Sequence, residues 1–336
     1  MLEYHVETRA ESRAETRVSV VVPTRNNLDT LPKALDSIRT QNISEIEIIV
    51  ADDGSTDGSA EWLACLMSLE PRLRVVNTYG KGPANARNKA IDAACSPLIA
   101  FLDSDDWWHA GKLKWQVDYL EKHSDVGFSF TDYVHVDTHG TTLETCFEYW
   151  KPSYSGRAPQ GYEELKHAEA ELLACNTAGT STIVARKDLL QNANGFATNL
   201  QSAEDWDLWL RLAHVAPVAC TSIIGTSYLM RPNSESARRE DRLNAMTSII
   251  DRYRGSFDPV LRAAMRRADA GVYAARADIA RLNGDYWGAV KAELNALITA
   301  PNLRDAKACA SHAVHGLKKL VDFRNDKQVY DKKNAA

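Results

Sequence analysis

No apolar stretch in this 336-residue chain approaches the length needed to cross a bilayer. The sequence also lacks a basic excess. Its 40 Lys and Arg stand against 45 Asp and Glu, a net charge of -5, so no nucleic acid is expected as a partner. Cysteine is present but never at metal-ligand spacing: Cys65, Cys95, Cys146, Cys175, Cys220 and Cys309 stand far apart, most of them in apolar runs. They read as reduced core thiols of a cytoplasmic protein. The first seventeen residues mix Glu, Arg, Ser and Thr with no apolar segment, which reads as a polar tail and not as a signal peptide. Apolar content of 44% and charged content of 25% are those of an ordinary globular chain.

What the sequence does have is a strand that runs into acid. Leu98-Ile99-Ala100-Phe101-Leu102 is five apolar residues long, the pattern of a strand buried on both faces, and Asp103-Ser104-Asp105-Asp106 follows at once. Open α/β sheets bind ligands at the carboxyl ends of their strands. Three carboxylates so close repel one another, and they make sense together if a divalent cation and a phosphate share the site. Oxygen ligands of this kind suit Mg2+ or Mn2+. The plainer reading is a solvated acidic turn that caps the next helix.

The surrounding pattern alternates. Ser19–Val22 is a β-branched strand ending at Pro23, and a helix follows with Leu28, Leu31, Leu35 and Ile38 on one face, Pro32 being tolerable in its first turns. Ile46–Val50 and Leu73–Val76 are further strands, each followed by a helix. Gly80-Lys81-Gly82-Pro83 opens the helix that runs to Ala94. Strand and helix in alternation predict a doubly wound, mostly parallel sheet. After about residue 125 the pattern becomes mixed, with strands expected at 127–131, 133–136 and 180–185. Residues 147–175 give no clear element. A helix starts near Glu204, an apolar strand-like run covers 223–230, and from about Glu240 the chain is helical, broken at Gly284-Asp285 and Pro301-Asn302.

Four further motifs carry two readings each. Asp52-Asp53-Gly54-Ser55 is either a turn and helix cap or a carboxylate pair that meets a base or a ribose. Arg87, on the first turns of its helix, is either a surface residue or a clamp for a diphosphate, since helix N-termini favour anions. Ser202-Ala203-Glu204-Asp205 has the form of a capping box, or it presents Asp205 as a general base beside aromatic residues. Arg231-Pro232-Asn233-Ser234 is a plain turn or a loop over phosphate.

Their order decides between the readings. Val22-Pro23-Thr24-Arg25-Asn26, then Val50-Ala51-Asp52-Asp53-Gly54-Ser55-Thr56-Asp57, then Ala86-Arg87-Asn88, then Leu102–Asp106, then Ala203-Glu204-Asp205-Trp206 resembles the inverting family-2 glycosyltransferases of GT-A fold over roughly residues 17 to 237. The resemblance implies an α/β GT-A fold with a mostly parallel central sheet and a C-terminal α-helical extension. The domains would be a polar tail (1–16), a catalytic domain (17–237, its nucleotide-binding half ending at 125) and a helical extension (238–336). It implies transfer from a nucleotide-diphospho-sugar, UDP-linked by preference, to a glycan or lipid-linked sugar acceptor in cell-surface polysaccharide or glycolipid synthesis. By the same resemblance, Pro23, Thr24 and Asn26 border the nucleotide and Asp52 or Asp53 meets the base, with Asp53 preferred. Arg87 contacts the diphosphate. Asp105 ligates Mn2+ or Mg2+, and Asp103 contacts ribose or the metal's water. Ser104 and Glu204 belong to the donor site, and Asp205 is the base. Many members carry a His where this chain has Arg231. A guanidinium cannot ligate a cation but can neutralise a leaving diphosphate.

Two other functions fit parts of the pattern. A nucleotidyltransferase uses a similar half-fold and acidic pair, but usually with a glycine-rich basic loop after the first strand, where this chain has Thr24-Arg25-Asn26-Asn27. A non-catalytic nucleotide-sugar-binding module would have no need of Asp103, Asp105 and Asp205 together. The far C-terminus places Lys318, Lys319, Arg324, Lys327, Lys332 and Lys333 among Leu317, Leu320, Val321 and Phe323. It is either a packed appendage or a weak, salt-sensitive contact with a partner or the inner face of a membrane.

Overall fold

The structure is a computed structural model that describes residues 16–154, 161–231, 239–302 and 305–317. The basic C-terminal stretch from Lys318, the turn after Arg231 and most of the polar tail therefore lie outside the described residues. The chain forms two compact units. The first takes the described residues up to Lys166 together with Thr177–Thr198 and Arg211–Met230. The second takes His167–Asn176, Asn199–Leu210 and the described residues from Arg231 onward.

The first unit holds one ten-stranded sheet. Its parallel half is β1 (Val18–Thr24), β2 (Ile46–Asp52), β3 (Leu73–Asn77) and β4 (Leu98–Phe101), in the spatial order β3-β2-β1-β4. Every residue of β1, β2 and β4 is buried, as their β-branched and apolar runs require of strands covered on both faces. The helices between them are α1 (Leu31–Arg39), α2 (Ser59–Met67) and α3 (Pro83–Ala93). In α1, Leu31, Ala34, Leu35 and Ile38 are buried at helical spacing, and Pro32 sits in the first turn, where its missing N–H leaves no intrahelical bond unmade. Leu28 lies before this helix, in the loop.

The other half is mixed. The order continues as β9 (Val184–Arg186), β6 (Phe128–Val136), β10 (Val218–Leu229) and β5 (Trp107–Trp108). β9 is antiparallel to β4 and to β6, whereas β6 and β10 run parallel to each other. Two expected strands, 127–131 and 133–136, are one strand, β6. The strand expected at 180–185 is a 3-10 turn at Thr180–Thr182 followed by the three residues of β9. Within 147–175 the chain forms α5 (Cys146–Trp150), β8 (Glu163–Glu164) and α6 (Ala168–Ala174), and α4 (Lys112–Lys122) and β7 (Thr142–Thr145) precede them. Short α5 is held by a capping box between Thr145 and Glu148. α7 (Lys187–Asn192) follows β9.

The second unit is helical. It contains the first part of α8 (Glu204–Val215), then α9 (Arg239–Asp251), α10 (Pro259–Leu282), α11 (Tyr286–Thr299) and the helical residues 305–317. The breaks fall at Gly284-Asp285 and Pro301-Asn302, with a further one at 252–258. Asp258 caps α10 through Val260 N–H, and Asp285 caps α11 through Gly288 N–H. All six cysteines are free, but only Cys146 and Cys220 are buried. Cys65, on α2, and Cys95, in the loop between α3 and β4, are exposed, so the expected core role holds for two of the six.

Candidate active site

The parallel register brings three turns to one edge of the sheet. Thr24 ends β1 opposite Asp52 at the end of β2, and Leu102 N–H donates to the Val21 carbonyl just past β4. The residues after each strand therefore emerge side by side at the carboxyl edge, where such sheets bind ligands.

The β1 and β2 turns are laced together. Asn26 holds φ 53°, which Asn tolerates better than most residues. Its N–H donates to Ser55 Oγ at 2.9 Å, and its Oδ1 accepts from Thr56 N–H at 2.7 Å. Asp57 accepts from Leu28 N–H and from Ser59 N–H. Asp52 Oδ1 accepts from the Ser55 hydroxyl at 2.5 Å. Thr24 Oγ1 is buried at this edge with no hydrogen-bond partner among the described residues, a polar atom placed where a ligand would satisfy it.

Asp53 is tied more heavily. Oδ1 accepts from Thr78 Oγ1 at 2.6 Å and Lys81 N–H at 2.9 Å, and Oδ2 accepts from Gly82 N–H at 2.7 Å. Burial pushes its pKa upward, but the bonds from Thr78 and from the Gly82, Lys81 and Gly80 amides outweigh it, and the carboxyl sits below the usual range. Gly82, at φ 88° and ψ 165°, adopts a conformation open to glycine alone, and that conformation turns its N–H to Asp53 just before Pro83 starts α3. Asp53 thus fixes the loop that aims Arg87.

Arg87 is buried on α3. Its guanidinium pairs with Asp103 Oδ1 at 2.7 Å and lies 5.3 Å from the Phe196 ring centre. Asp103 through Asp106 form a turn closed by Asp106 N–H to the Asp103 carbonyl. Ser104 is buried and accepts from Asn27 Nδ2 at 2.7 Å, which ties this turn to the loop after β1. Asp106 is buried and accepts from Ser181 Oγ at 2.6 Å and Leu229 N–H at 3.1 Å. Its pKa is raised well above the usual range, first by burial and then by the charges of Asp105 and Asp103. Negative charge is in excess at this turn.

That excess is the test of a divalent cation here. Hard oxygen donors that repel one another fit Mg2+ or Mn2+. Among the described residues no group of three or more His, Cys, Asp or Glu is arranged to hold a metal by itself. Mg2+ is commonly bound through one or two carboxylates together with substrate phosphates.

Sequence reasoning missed two residues of this site. Ser181 Oγ accepts the Asp103 N–H at 3.0 Å while donating to Asp106, so one hydroxyl fixes both ends of the acidic turn. Asn27 is the other. Nothing local marks Ser181, because the groups its hydroxyl bonds lie more than seventy residues away.

The remaining candidates belong to the second unit. Glu204 and Asp205 open α8, both partly exposed, and Asp205 Oδ1 accepts the Trp206 N–H at 2.7 Å. The helix starts at Glu204, so Ser202 stands one position too early to cap it. Ala203 takes the position before the helix at φ 56°. That conformation costs an alanine about 1–2 kcal/mol, and such strain gathers at functional positions. Trp206 Nε1 donates to the Leu172 carbonyl, and buried Asp207 pairs with Arg252 at 2.7 Å, which holds the first turn of α8. Arg231 is partly exposed at the end of its described stretch.

Residues 19–181 match the family model for glycosyl transferase family 2. This segment is a family 2 glycosyl transferase domain. The chain is 28% identical over 237 residues to the Escherichia coli protein WfgD, a UDP-Glc:alpha-D-GlcNAc-diphosphoundecaprenol beta-1,3-glucosyltransferase, covering 69% of this chain and 85% of that one. Its fold is that of the GT-A glycosyltransferases. It resembles residues 1–349 of Staphylococcus aureus TarS in complex with UDP-GlcNAc, with a TM-score of 0.61, 19% identity and coverage of 94% and 92% of the two chains. It also resembles the mannosyltransferase PcManGT of Pyrobaculum calidifontis in complex with GDP-Man and Mn2+, with a TM-score of 0.62, 20% identity and coverage of 94% and 85%. Against three curated Rickettsia relatives the chain spans only 26% to 39% of their length. No helix among the described residues is long and apolar enough to cross a membrane.

Proposed function

We propose that this chain moves a sugar, with inversion at the anomeric carbon, from a nucleotide-diphospho-sugar to an acceptor hydroxyl in the synthesis of a surface polysaccharide or glycolipid. UDP is the preferred nucleotide, and the acceptor is a glycan or a lipid-linked sugar. The catalytic domain is residues 17–237, with 238–336 as its helical extension. The observation that carries this reading is the charge excess at Asp103–Asp106, set beside buried Arg87 at the carboxyl edge of the parallel strands.

In this reading Thr24 and Asn26 border the nucleotide, and Asp52 and Asp53 face the base side of the site. Asp53 also fixes the loop before Arg87. Asp105 and Asp103 would hold Mn2+ or Mg2+ together with the donor's diphosphate, and the cation would offset charge on that diphosphate. Arg87 and Arg231 neutralise the departing nucleotide diphosphate, which leaves with the electron pair of its bond to the anomeric carbon. Asp205 accepts the proton of the acceptor hydroxyl as that oxygen forms the new bond to the anomeric carbon. Donor and acceptor meet where membrane-linked precursors are assembled, which agrees with a cytoplasmic protein at the inner face.

The test is a thermal-shift and hydrolysis screen of UDP- and GDP-sugars with and without MnCl2, on the full chain and on Asp205→Asn. A UDP-sugar is expected to raise the melting temperature in the presence of manganese. Asp205→Asn is expected to keep that shift while turnover falls about 10²–10⁴-fold. A shift with no turnover by the unmodified chain would make it a binding module, and the absence of any shift would remove the nucleotide-sugar reading altogether.

A further inference from the structure

Beside the acidic turn the sheet carries three aromatic side chains that the proposed chemistry does not use. Tyr133 and His135 lie on one face of β6, two residues apart, and Tyr228 of β10 is in register with His135. Their ring centres are 5.2 Å (Tyr133–His135), 5.9 Å (Tyr133–Tyr228) and 5.7 Å (His135–Tyr228) apart. All three are partly exposed. The alternate residues Asp132, Val134 and Val136 on the other face of β6 are buried. The cluster is continuous with the acidic turn, since Asp106 accepts the N–H of Leu229, the residue after Tyr228.

We propose that Tyr133, His135 and Tyr228 form a platform for the ring of an acceptor sugar, a neutral or N-acetylated pyranose. The proposal rests on the transfer reaction proposed above and names its acceptor side. A pyranose presents a patch of C–H bonds with slight positive charge, which suits the negative face of an aromatic ring. Ligand sites combine such rings with a few fixed polar groups. His135 supplies one. Its Nδ1 lies 3.1 Å from the Glu144 carbonyl, which can only accept, so Nδ1 carries a proton and Nε2 is the ring nitrogen left for a sugar hydroxyl.

The platform is built, not incidental. Asp132 Oδ1 accepts the N–H groups of Tyr133 and Phe147, which sets the strand at Tyr133. Gly179 lies beneath the Tyr133 ring, where an added Cβ would come within 3.0 Å of Cε1. A larger residue at 179 would push the ring away. The three side chains include no Lys or Arg, so the platform offers no ammonium or guanidinium partner to a uronic acid carboxylate.

The experiment is saturation-transfer NMR on the full chain loaded with UDP and MgCl2. The probes are methyl α-N-acetylglucosaminide, methyl β-glucoside and methyl β-glucuronide. Saturation is expected at the ring C–H protons of at least one neutral probe and not at the glucuronide. The double variant Tyr133→Ala/Tyr228→Ala is expected to weaken that probe about tenfold or more, while its thermal shift with UDP stays unchanged. Tyr228→Phe, which keeps the ring, should retain most of the binding. His135→Asn, which keeps a donor for the Glu144 carbonyl but loses Nε2, should weaken it. Equal binding by the double variant, or no saturation of any neutral probe by the unmodified chain, overturns the platform. Failure of UDP itself to bind the unmodified chain is a separate result and sinks the donor reading instead.

Discussion

Two acidic turns lie at the same sheet edge and differ in how their charge is met. The turn from Asp52 to Asp57 satisfies itself. Ser55, Thr78, Lys81, Gly82, Leu28 and Ser59 donate to its carboxylates, and both buried Asp53 and exposed Asp57 are held below the usual pKa range. The turn from Asp103 to Asp106 crowds its carboxylates together. Arg87 meets one carboxylate, but Asp106 is raised well above its usual range by burial and by Asp105 and Asp103. Similar composition therefore serves opposite ends. The first turn is a scaffold that shapes the loop before Arg87, and the second gathers carboxylates that repel one another.

Asp105→Ala gives the sharpest test of this contrast. It is expected to cost about 100-fold or more in manganese-dependent affinity for a UDP-sugar, if the cation supplies several kcal/mol at the diphosphate. It should leave the melting temperature without ligand equal or higher, because one repelling charge is gone. Calorimetric titration with and without MnCl2 reads the first effect and a thermal melt the second. A loss of stability with affinity intact would make the second turn a scaffold like the first.

Asp53→Asn should behave the other way. An amide nitrogen in place of Oδ2 would meet the Gly82 N–H donor to donor, leaving a buried donor unpaired at about 1–3 kcal/mol. Urea unfolding is the measurement, and unchanged stability would break the comparison. Ser181→Ala should cost less, about 1 kcal/mol, since Asp106 keeps the Leu229 N–H. Its distinguishing effect is on position: the Asp103 N–H loses its acceptor, so KM for the donor should rise more than kcat falls.

The parallel half was legible because β1, β2 and β4 are fully buried and alternate with helices. A run such as Ile46–Val50 has one solution, and Asp-Asp-Gly-Ser after it must leave the sheet. The mixed half was less so. Thr180-Ser181-Thr182-Ile183-Val184-Ala185 has β-branched content throughout, yet its first three residues form a 3-10 turn because Thr182 N–H and Ile183 N–H bond back to Gly179 and Thr180. That turn is what puts Ser181 under the acidic turn. β10 was read from Ile223 onward because the polar residues Thr221 and Ser222 interrupt it, where the structure has a register shift. Candidate residues on turns after strands could be found from order and spacing. Ser181, Asn27 and Asp106 could not be assigned their parts, since each acts through a partner far along the chain.

The smallest effect concerns acid. Asp53 has a folded pKa below its unfolded value, near 3.9. Its contribution to stability is therefore fully present above that unfolded value and is lost as pH falls through the folded one. Asp53→Asn has no such proton to bind. The stability gap between the unmodified chain and Asp53→Asn should thus be constant from pH 7 to about 5 and narrow as the pH approaches 3. Urea midpoints at pH 7, 5, 4 and 3 would follow it. A gap that stays fixed down to pH 3 would mean that shape alone, and not charge met by N–H donors, holds the first turn, and the contrast with the second would lose its electrostatic basis.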